Sequence, residues 1–90
     1  MQASIEISMY PLQEDYCQPI IDFIDRLETH SEVRVARNAM STQVFGEFRT
    51  LMSMMTEEVE AVLATQPKTV FVLKLIGTDR SKARIDACSE

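Results

Sequence analysis

Residues 69–76 read Thr-Val-Phe-Val-Leu-Lys-Leu-Ile, and their pattern decides how the whole chain folds. The β-branched and aromatic side chains favour a strand, and Pro67 separates this strand from any helix before it. Phe71 and the two leucines at the next alternate positions point to one face, whereas Val70 and Val72 point to the other. A strand that is apolar on both faces is typical of a sheet that is covered on both sides.

A helix is predicted directly upstream of this strand, because apolar residues recur there at three- and four-residue steps. The apolar stripe consists of Phe48, Leu51, Met52, Met55, Val59, Val62 and Leu63. Its methionines are interpreted as core residues, not as ligands of a soft metal. The carboxylates of Glu57, Glu58 and Glu60 are predicted to form a solvated face of the same helix.

Two short strands are predicted before that helix. Val33 and Val35 alternate with a charged residue and open a strand that runs to about Asn38. Residues 42–45 form the next strand, and Gly46 marks a break between it and the helix.

The N-terminal part of the chain supplies one more strand and one more helix. Residues 4–10 alternate between apolar and polar, which predicts a half-buried strand that Pro11 ends. Asp15 is the predicted N-cap of a helix that ends near Thr29. The apolar positions of this helix are Cys17, Ile20, Ile21, Ile24 and Leu27. Cys17 is therefore interpreted as a small core residue.

The predicted order β-α-β-β-α-β occupies residues 1–78, and a polar tail of mixed charge occupies residues 79–90. This order predicts a single α+β domain with the ferredoxin-like βαββαβ sandwich, in which two helices cover one face of a four-stranded antiparallel sheet. The other face is left without a cover, although the last strand is apolar on both sides. We therefore expect a homodimer or a homotetramer that packs through its sheet faces.

Charge and composition exclude several classes of partner. The 90-residue chain carries 14 acidic and nine basic residues, a net charge of −5, and such a surface repels nucleic acid. The first residues lack the pattern of a signal peptide, and Lys74 interrupts the purest apolar run, so we expect a cytoplasmic protein with no membrane insertion. Cys17 and Cys88 are too few and too far apart to predict a disulfide framework or a zinc ribbon.

The sequence carries none of the common signatures of enzymes. No CxxC, HExxH, GxSxG or P-loop pattern occurs in it. The single histidine, His30, is interpreted as a residue at the end of the first helix, where its partial positive charge suits the helix dipole. We therefore expect no catalysis, no metal and no cofactor.

A candidate binding segment lies between residues 37 and 48. Asn38, Ser41, Thr42 and Gln43 concentrate short side chains that both donate and accept hydrogen bonds. The glycine that follows them permits a ligand to approach the backbone closely. Turn formation alone is an alternative explanation for the asparagine, serine and threonine.

Three stretches carry a resemblance to a known family. They are Ser8-Met9-Tyr10-Pro11-Leu12, Met40-Ser41-Thr42-Gln43-Val44-Phe45-Gly46-Glu47-Phe48 and the closing strand at residues 70–76. These stretches resemble the thiamine- and hydroxymethylpyrimidine-binding proteins of the YkoF-like family, and with the spacing between them the similarity covers about residues 3–80. Longer members of that family carry two copies of the domain, so two or four copies of this chain are expected to replace the tandem arrangement.

The resemblance implies binding of thiamine or hydroxymethylpyrimidine near subunit contacts, without catalysis, in vitamin uptake or salvage. The implied ligand-binding residues are Ser8, Tyr10, Ser41, Thr42, Gln43, Gly46 and Glu47. Asn38 is added because it lies on the strand that leads into the motif. Tyr10 or Phe45 would stack on the pyrimidine ring, and Glu47 would favour the thiazolium cation. Strand packing and stabilisation of a helix dipole are the simpler interpretations of these three residues.

Two other functions remain open at this point. One is an enzyme of the dimeric α+β barrel type, such as a cofactor-free monooxygenase, although the sequence offers few titratable groups for its pocket. The other is a regulatory module whose sheet face recruits a protein. Phosphorylated forms of the vitamin are not favoured, because no glycine-rich or basic phosphate cradle is present.

Overall fold

A computed structural model describes residues 1–82 of the chain. In chain order its elements are β1 (Gln2–Tyr10), α1 (Cys17–Glu28), β2 (Arg34–Arg37), β3 (Thr42–Glu47), α2 (Phe48–Thr65) and β4 (Val70–Ile76). Within this described range, no helix is both long enough and apolar enough to cross a membrane.

The four strands form one sheet in the order β2-β3-β1-β4, and every neighbouring pair is antiparallel. Ile5 of β1 pairs with Val44 of β3 and with Leu75 of β4, so these three side chains share one face. Residues from both helices belong to the same buried cluster as Ile5, so both helices cover this face. The predicted ferredoxin-like α+β fold is confirmed.

The core lies between this sheet face and the two helices. Its largest fully buried side chains come one from each of the two central strands and one from each helix: Ile5, Val44, Leu27 and Leu51. Burial of each such side chain stabilises the fold by about 1.5–3 kcal/mol. The prediction of core methionines is confirmed for Met55.

The start of α1 differs from the prediction. Its N-cap is Tyr16 rather than Asp15, and no side chain caps it. Cys17 is the first helical residue and is exposed, so the prediction that it lies in the core is wrong. The buried residues of α1 begin later in the helix and are Phe23, Ile24 and Leu27.

Gly46 is part of β3 and does not interrupt it. It lies on the helix side of the sheet, where a Cβ atom would be only 3.1 Å from Val33 Cγ1. A larger residue at this position would crowd Val33, in the connection between α1 and β2, and would require its side chain to shift by a few tenths of an ångström. The strand continues to Glu47, and α2 begins at the next residue.

Glu58 is buried, with only 3% of its surface exposed, so the prediction of a solvated residue is wrong. Its carboxylate accepts a hydrogen bond from Arg26 Nε at 2.7 Å and lies 2.8 Å from His30 Nε2. Burial acts to raise the pKa of this carboxyl, but the contacts with His30 and Arg26 together hold the pKa below its ordinary value. The cluster ties the end of α1 to the middle of α2.

β4 is an edge strand, and a single chain leaves most of it uncovered. Val70 and Val72 are exposed on the face away from the helices, and Leu73 and Leu75 are exposed on the helix side. Only Phe71 is held by the core, where its ring packs 5.2 Å from the ring of Phe23. Most apolar side chains of β4 are therefore not covered by any other described residue of the chain.

Residues 77–82, here called the C-terminal strap, cross the sheet face that the helices leave open. Ser4 Oγ donates to the carbonyl of Thr78 and accepts from the backbone N–H of Arg80, each at 2.8 Å. Arg34 reaches Asp79 at 3.8 Å and also donates to Ser81. The predicted tail at 79–90 begins within this strap, and residues 83–90 lie outside the described range.

Candidate functional site

A cavity of about 410 Å³ lies at one end of the sheet. The register of the strands creates it. The last residue of β1 that pairs with β3 is Ile7, opposite Thr42, whereas β1 continues to Tyr10 beside β4 alone. The side of β1 that faces β3 therefore has no strand partner beyond Ile7. This notch is closed by the loop after β1, the first turns of α1 and the turn between β2 and β3.

Consecutive residues of β1 line the notch, so side chains from both faces of the sheet contribute to it. Ser8 and Tyr10 lie on the open face, while Met9 lies on the helix side. Tyr10 is half-exposed at the mouth, where its ring can contact a ligand. The serine hydroxyl and the phenol both donate and accept hydrogen bonds.

Asn38 shapes the wall opposite β1. Its backbone N–H donates to the carbonyl of Ser41 at 3.2 Å, and its side-chain Oδ1 accepts from the backbone N–H groups of Met40 and Ser41 at 2.8 and 3.1 Å. These bonds close a tight turn between β2 and β3. The side-chain oxygen of Asn38 therefore holds the turn, as the turn-forming interpretation of this segment expects.

Thr42 is the most deeply placed polar residue of the cavity, with 4% of its surface exposed. Its register opposite Ile7 turns its side chain toward the helices. Within residues 1–82 the structure gives its hydroxyl no hydrogen-bond partner. Ser41 points the other way, and its hydroxyl donates to Glu6 Oε2 at 3.1 Å.

The cavity is uncharged. Among the described residues that line it there is no aspartate, glutamate, histidine, lysine or arginine. Apolar side chains of α1 form its floor, including Ile20 and Phe23. A site of this kind suits a flat apolar ring with a few hydrogen-bonding groups, and it offers no cation to neutralise a phosphate.

Five of the eight sequence-predicted site residues line this one cavity. They are Ser8, Tyr10, Asn38, Ser41 and Thr42. The other three, Gln43, Gly46 and Glu47, lie farther along β3 and outside the cavity. Phe45, the alternative stacking residue, is buried on the open face beside Arg34, whose guanidinium lies 5.7 Å from the ring centroid.

Gln43 and Glu47 have other surroundings. Gln43 sits on the open sheet face opposite Glu6. Glu47 caps α2, where its carboxylate accepts from the backbone N–H groups of Thr50 at 3.1 Å and Arg49 at 3.0 Å. The hydrogen bond from Thr50 lowers the pKa of Glu47 below its ordinary value, and that from Arg49 and the N-terminal ammonium add to the effect.

Sequence reasoning did not single out the residues that frame the mouth. Leu12 and Tyr16 come from the loop after β1, and Met40 comes from the turn before β3. All three are exposed apolar or aromatic side chains. What these residues share in the sequence is that each is apolar or aromatic and lies in a segment without helical or strand periodicity. That signal becomes informative only when the two loops are known to face each other.

Comparison with known proteins supports the fold. No protein-family model matches the chain, and no curated protein matches it significantly. A protein from Streptococcus pneumoniae superposes with a TM-score of 0.79 at 25% identity, over 96% of this chain and 94% of its own. A protein from Thermotoga maritima, provisionally assigned to thiamine biosynthesis or salvage, gives 0.77 at 19% identity, over 87% and 85%. A domain of unknown function, DUF77, from Bacillus cereus gives 0.67 at 19% identity, over 99% and 88%.

Proposed function

We propose that this chain binds thiamine or its hydroxymethylpyrimidine precursor in the notch at the end of β1, without chemical turnover. The observation that carries the proposal is the cavity itself. It is uncharged, and it gathers Ser8, Tyr10 and Thr42 around a space of about 410 Å³. That volume falls within the usual range for small-molecule sites. The similarity of the fold to the Thermotoga maritima protein, which is provisionally assigned to thiamine biosynthesis or salvage, supports the proposal of a thiamine-related ligand.

The chemistry of an aminopyrimidine fits these residues. Its ring nitrogens accept hydrogen bonds and its exocyclic amine donates them, so the hydroxyls of Ser8 and Thr42 are suitable partners. Tyr10 supplies an aromatic surface at the mouth for the flat ring. The cavity has no counterion for a thiazolium cation, so the pyrimidine half of thiamine enters the notch and the thiazolium half faces solvent.

Binding without turnover is favoured over the barrel-enzyme alternative. Within the described lining, only the phenols of Tyr10 and Tyr16 could exchange a proton. No carboxylate or imidazole from residues 1–82 reaches this lining to act as an acid or base. We assign the chain a carrier or salvage role in the cytoplasm, in which the bound vitamin leaves unchanged.

We also propose that two or four copies of the chain assemble through β4. This edge strand exposes Val70 and Val72 on one face and Leu73 and Leu75 on the other. Uncovered apolar edge strands are rare in monomers because they promote association. The strap already covers the Ser4 end of the open face, so the contact uses the half that lies next to Tyr10.

The ligand assignment is tested by isothermal titration of the purified protein with hydroxymethylpyrimidine and, separately, with thiamine. We expect saturable binding of at least one of them at micromolar concentration or tighter. Mass spectrometry of the recovered ligand should show it unchanged after prolonged incubation. Absence of heat with both ligands at high protein concentration would reject the ligand class, and conversion of either one would reject a purely binding role.

A further inference from the structure

Two largely exposed apolar side chains, from two different loops, line the cavity. Leu12, in the loop after β1, is 70% exposed, and Met40, in the turn before β3, is 88% exposed. Both line the same cavity. Exposed apolar residues are common singly, but two that line one cavity from different loops give it an apolar rim that a ligand can contact.

The backbone at Leu12 is held in an unfavourable conformation. Its φ angle is 57°, and it is the one residue other than glycine with a positive φ in the described chain. A leucine gains nothing from this conformation, which glycine or asparagine adopts more easily. Strained backbone of this kind persists mainly where a side chain must be placed for function. Here the side chain is placed at the mouth of the cavity.

The turn that carries Met40 is firmly held. Asn38 Oδ1 accepts from the backbone N–H groups of Met40 and Ser41, at 2.8 and 3.1 Å. The methionine side chain is unbranched and flexible, so it can move over a bound molecule while its backbone stays fixed. A fixed backbone with a flexible apolar side chain suits a residue that covers a ligand.

We propose that Leu12 and Met40 form an apolar clamp that closes over the exposed face of the bound ring, a role that rests on the function proposed above. The clamp deepens that function by setting the ligand class. It favours a planar heteroaromatic ring without a phosphate, because closure over a phosphate would bury a charge among uncharged residues.

The clamp is tested with Leu12→Ala, Met40→Ala and the double variant, each titrated with hydroxymethylpyrimidine. Loss of the apolar contact predicts about a tenfold weaker affinity for each single variant, mainly through faster dissociation in stopped-flow measurements of tyrosine fluorescence. Ile21→Ala is the matched control, because Ile21 is an exposed apolar residue of α1 that does not line the cavity. Leu12→Asn tolerates the positive φ and controls for a change in the loop backbone.

The outcomes separate the clamp from the function on which it rests. If the native protein binds hydroxymethylpyrimidine and both alanine variants bind it equally well, the clamp is overturned and the site stands. If Leu12→Asn binds like the native protein, the leucine side chain is not needed and the clamp is again overturned. Equal affinity of the native protein for hydroxymethylpyrimidine phosphate rejects the proposed selectivity. If the native protein binds neither vitamin, the proposed function and the clamp both fail.

Discussion

At the scale of single residues, the contrast between Glu57 and Glu58 shows what sequence patterns miss. The two carboxylates are neighbours in α2 and look equivalent in the sequence. Only Glu58 is buried, since it meets Arg26 and His30 from the far end of α1. No local pattern records a partner that lies about 30 residues away, so the burial of this residue could not be predicted from periodicity.

We predict that Glu58→Gln destabilises the fold. The amide has no charge to pair with Arg26 and leaves part of the buried contact unsatisfied, so the loss should be about 1–3 kcal/mol in the free energy of unfolding. Glu57→Gln is the matched control, and as an exposed change it should alter that free energy by less than about 0.5 kcal/mol. Urea denaturation of the three proteins at neutral pH provides the measurement.

We also predict that the stability difference between the native protein and Glu58→Gln depends on pH. The folded state holds the pKa of Glu58 below its ordinary value of 4.5, so its ionised form stabilises the fold above that pH. The stability it contributes is lost as the pH falls through the lower folded pKa. The difference between the native protein and Glu58→Gln should therefore narrow in acid. A difference that stays constant from neutral pH into strong acid would contradict the assigned role of the carboxylate.

At the scale of elements, the strands and helices were predictable because their apolar periods are clear. The structure differs from these predictions of helices and strands at positions where one element meets another. Gly46 is a strand residue because it pairs with Ala3 of β1, and it lies within contact distance of Val33. No feature of residues 42–47 reveals either neighbour. The residues of the turn at Asn38 were predictable as polar turn formers, but their position opposite β1 required the register of the sheet.

Glu47 provides a test that separates a helix cap from a ligand contact. It caps α2 through the backbone N–H groups of Arg49 and Thr50, and it lies outside the cavity. We predict that Glu47→Ala lowers the midpoint of thermal unfolding by a few degrees because the cap is lost. The affinity for hydroxymethylpyrimidine should not change. Weaker binding by a variant that is as stable as the native protein would place this carboxylate at the ligand instead.

At the scale of the whole molecule, β4 is the element whose apolar side chains a single chain leaves exposed. The sequence predicted a strand covered on both faces, yet the described chain covers only Phe71. A ferredoxin-like sandwich with two helices has no further element to place there. Residues 70–76 alone are therefore enough to suggest the proposed assembly. The partial cover that the strap gives the open face could not be predicted, because its contacts to Ser4 and Arg34 are polar and follow no apolar pattern.

We predict that Val72→Lys shifts the protein toward monomers. The lysine places a charge in the centre of the exposed face of β4, where a second copy would have to bury it. Ile21→Lys, at an exposed apolar position of α1, is the control and should leave the assembly unchanged. Light scattering coupled to size-exclusion chromatography gives the mass directly. A native protein that elutes as a monomer at micromolar concentration would refute assembly through β4.

The placement of the ligand in the notch is tested most directly by the affinity of Thr42→Val for hydroxymethylpyrimidine, measured by isothermal titration beside the native protein and Gln43→Ala. Thr42 lines the cavity, and valine preserves its shape while removing only its hydroxyl. Loss of one hydrogen bond, about 0.5–1.5 kcal/mol, predicts a Kd that is higher by about two- to twelve-fold. Gln43→Ala, outside the cavity, should bind like the native protein. An unchanged Kd for Thr42→Val, or a larger loss for Gln43→Ala, would contradict the placement of the ligand in the notch.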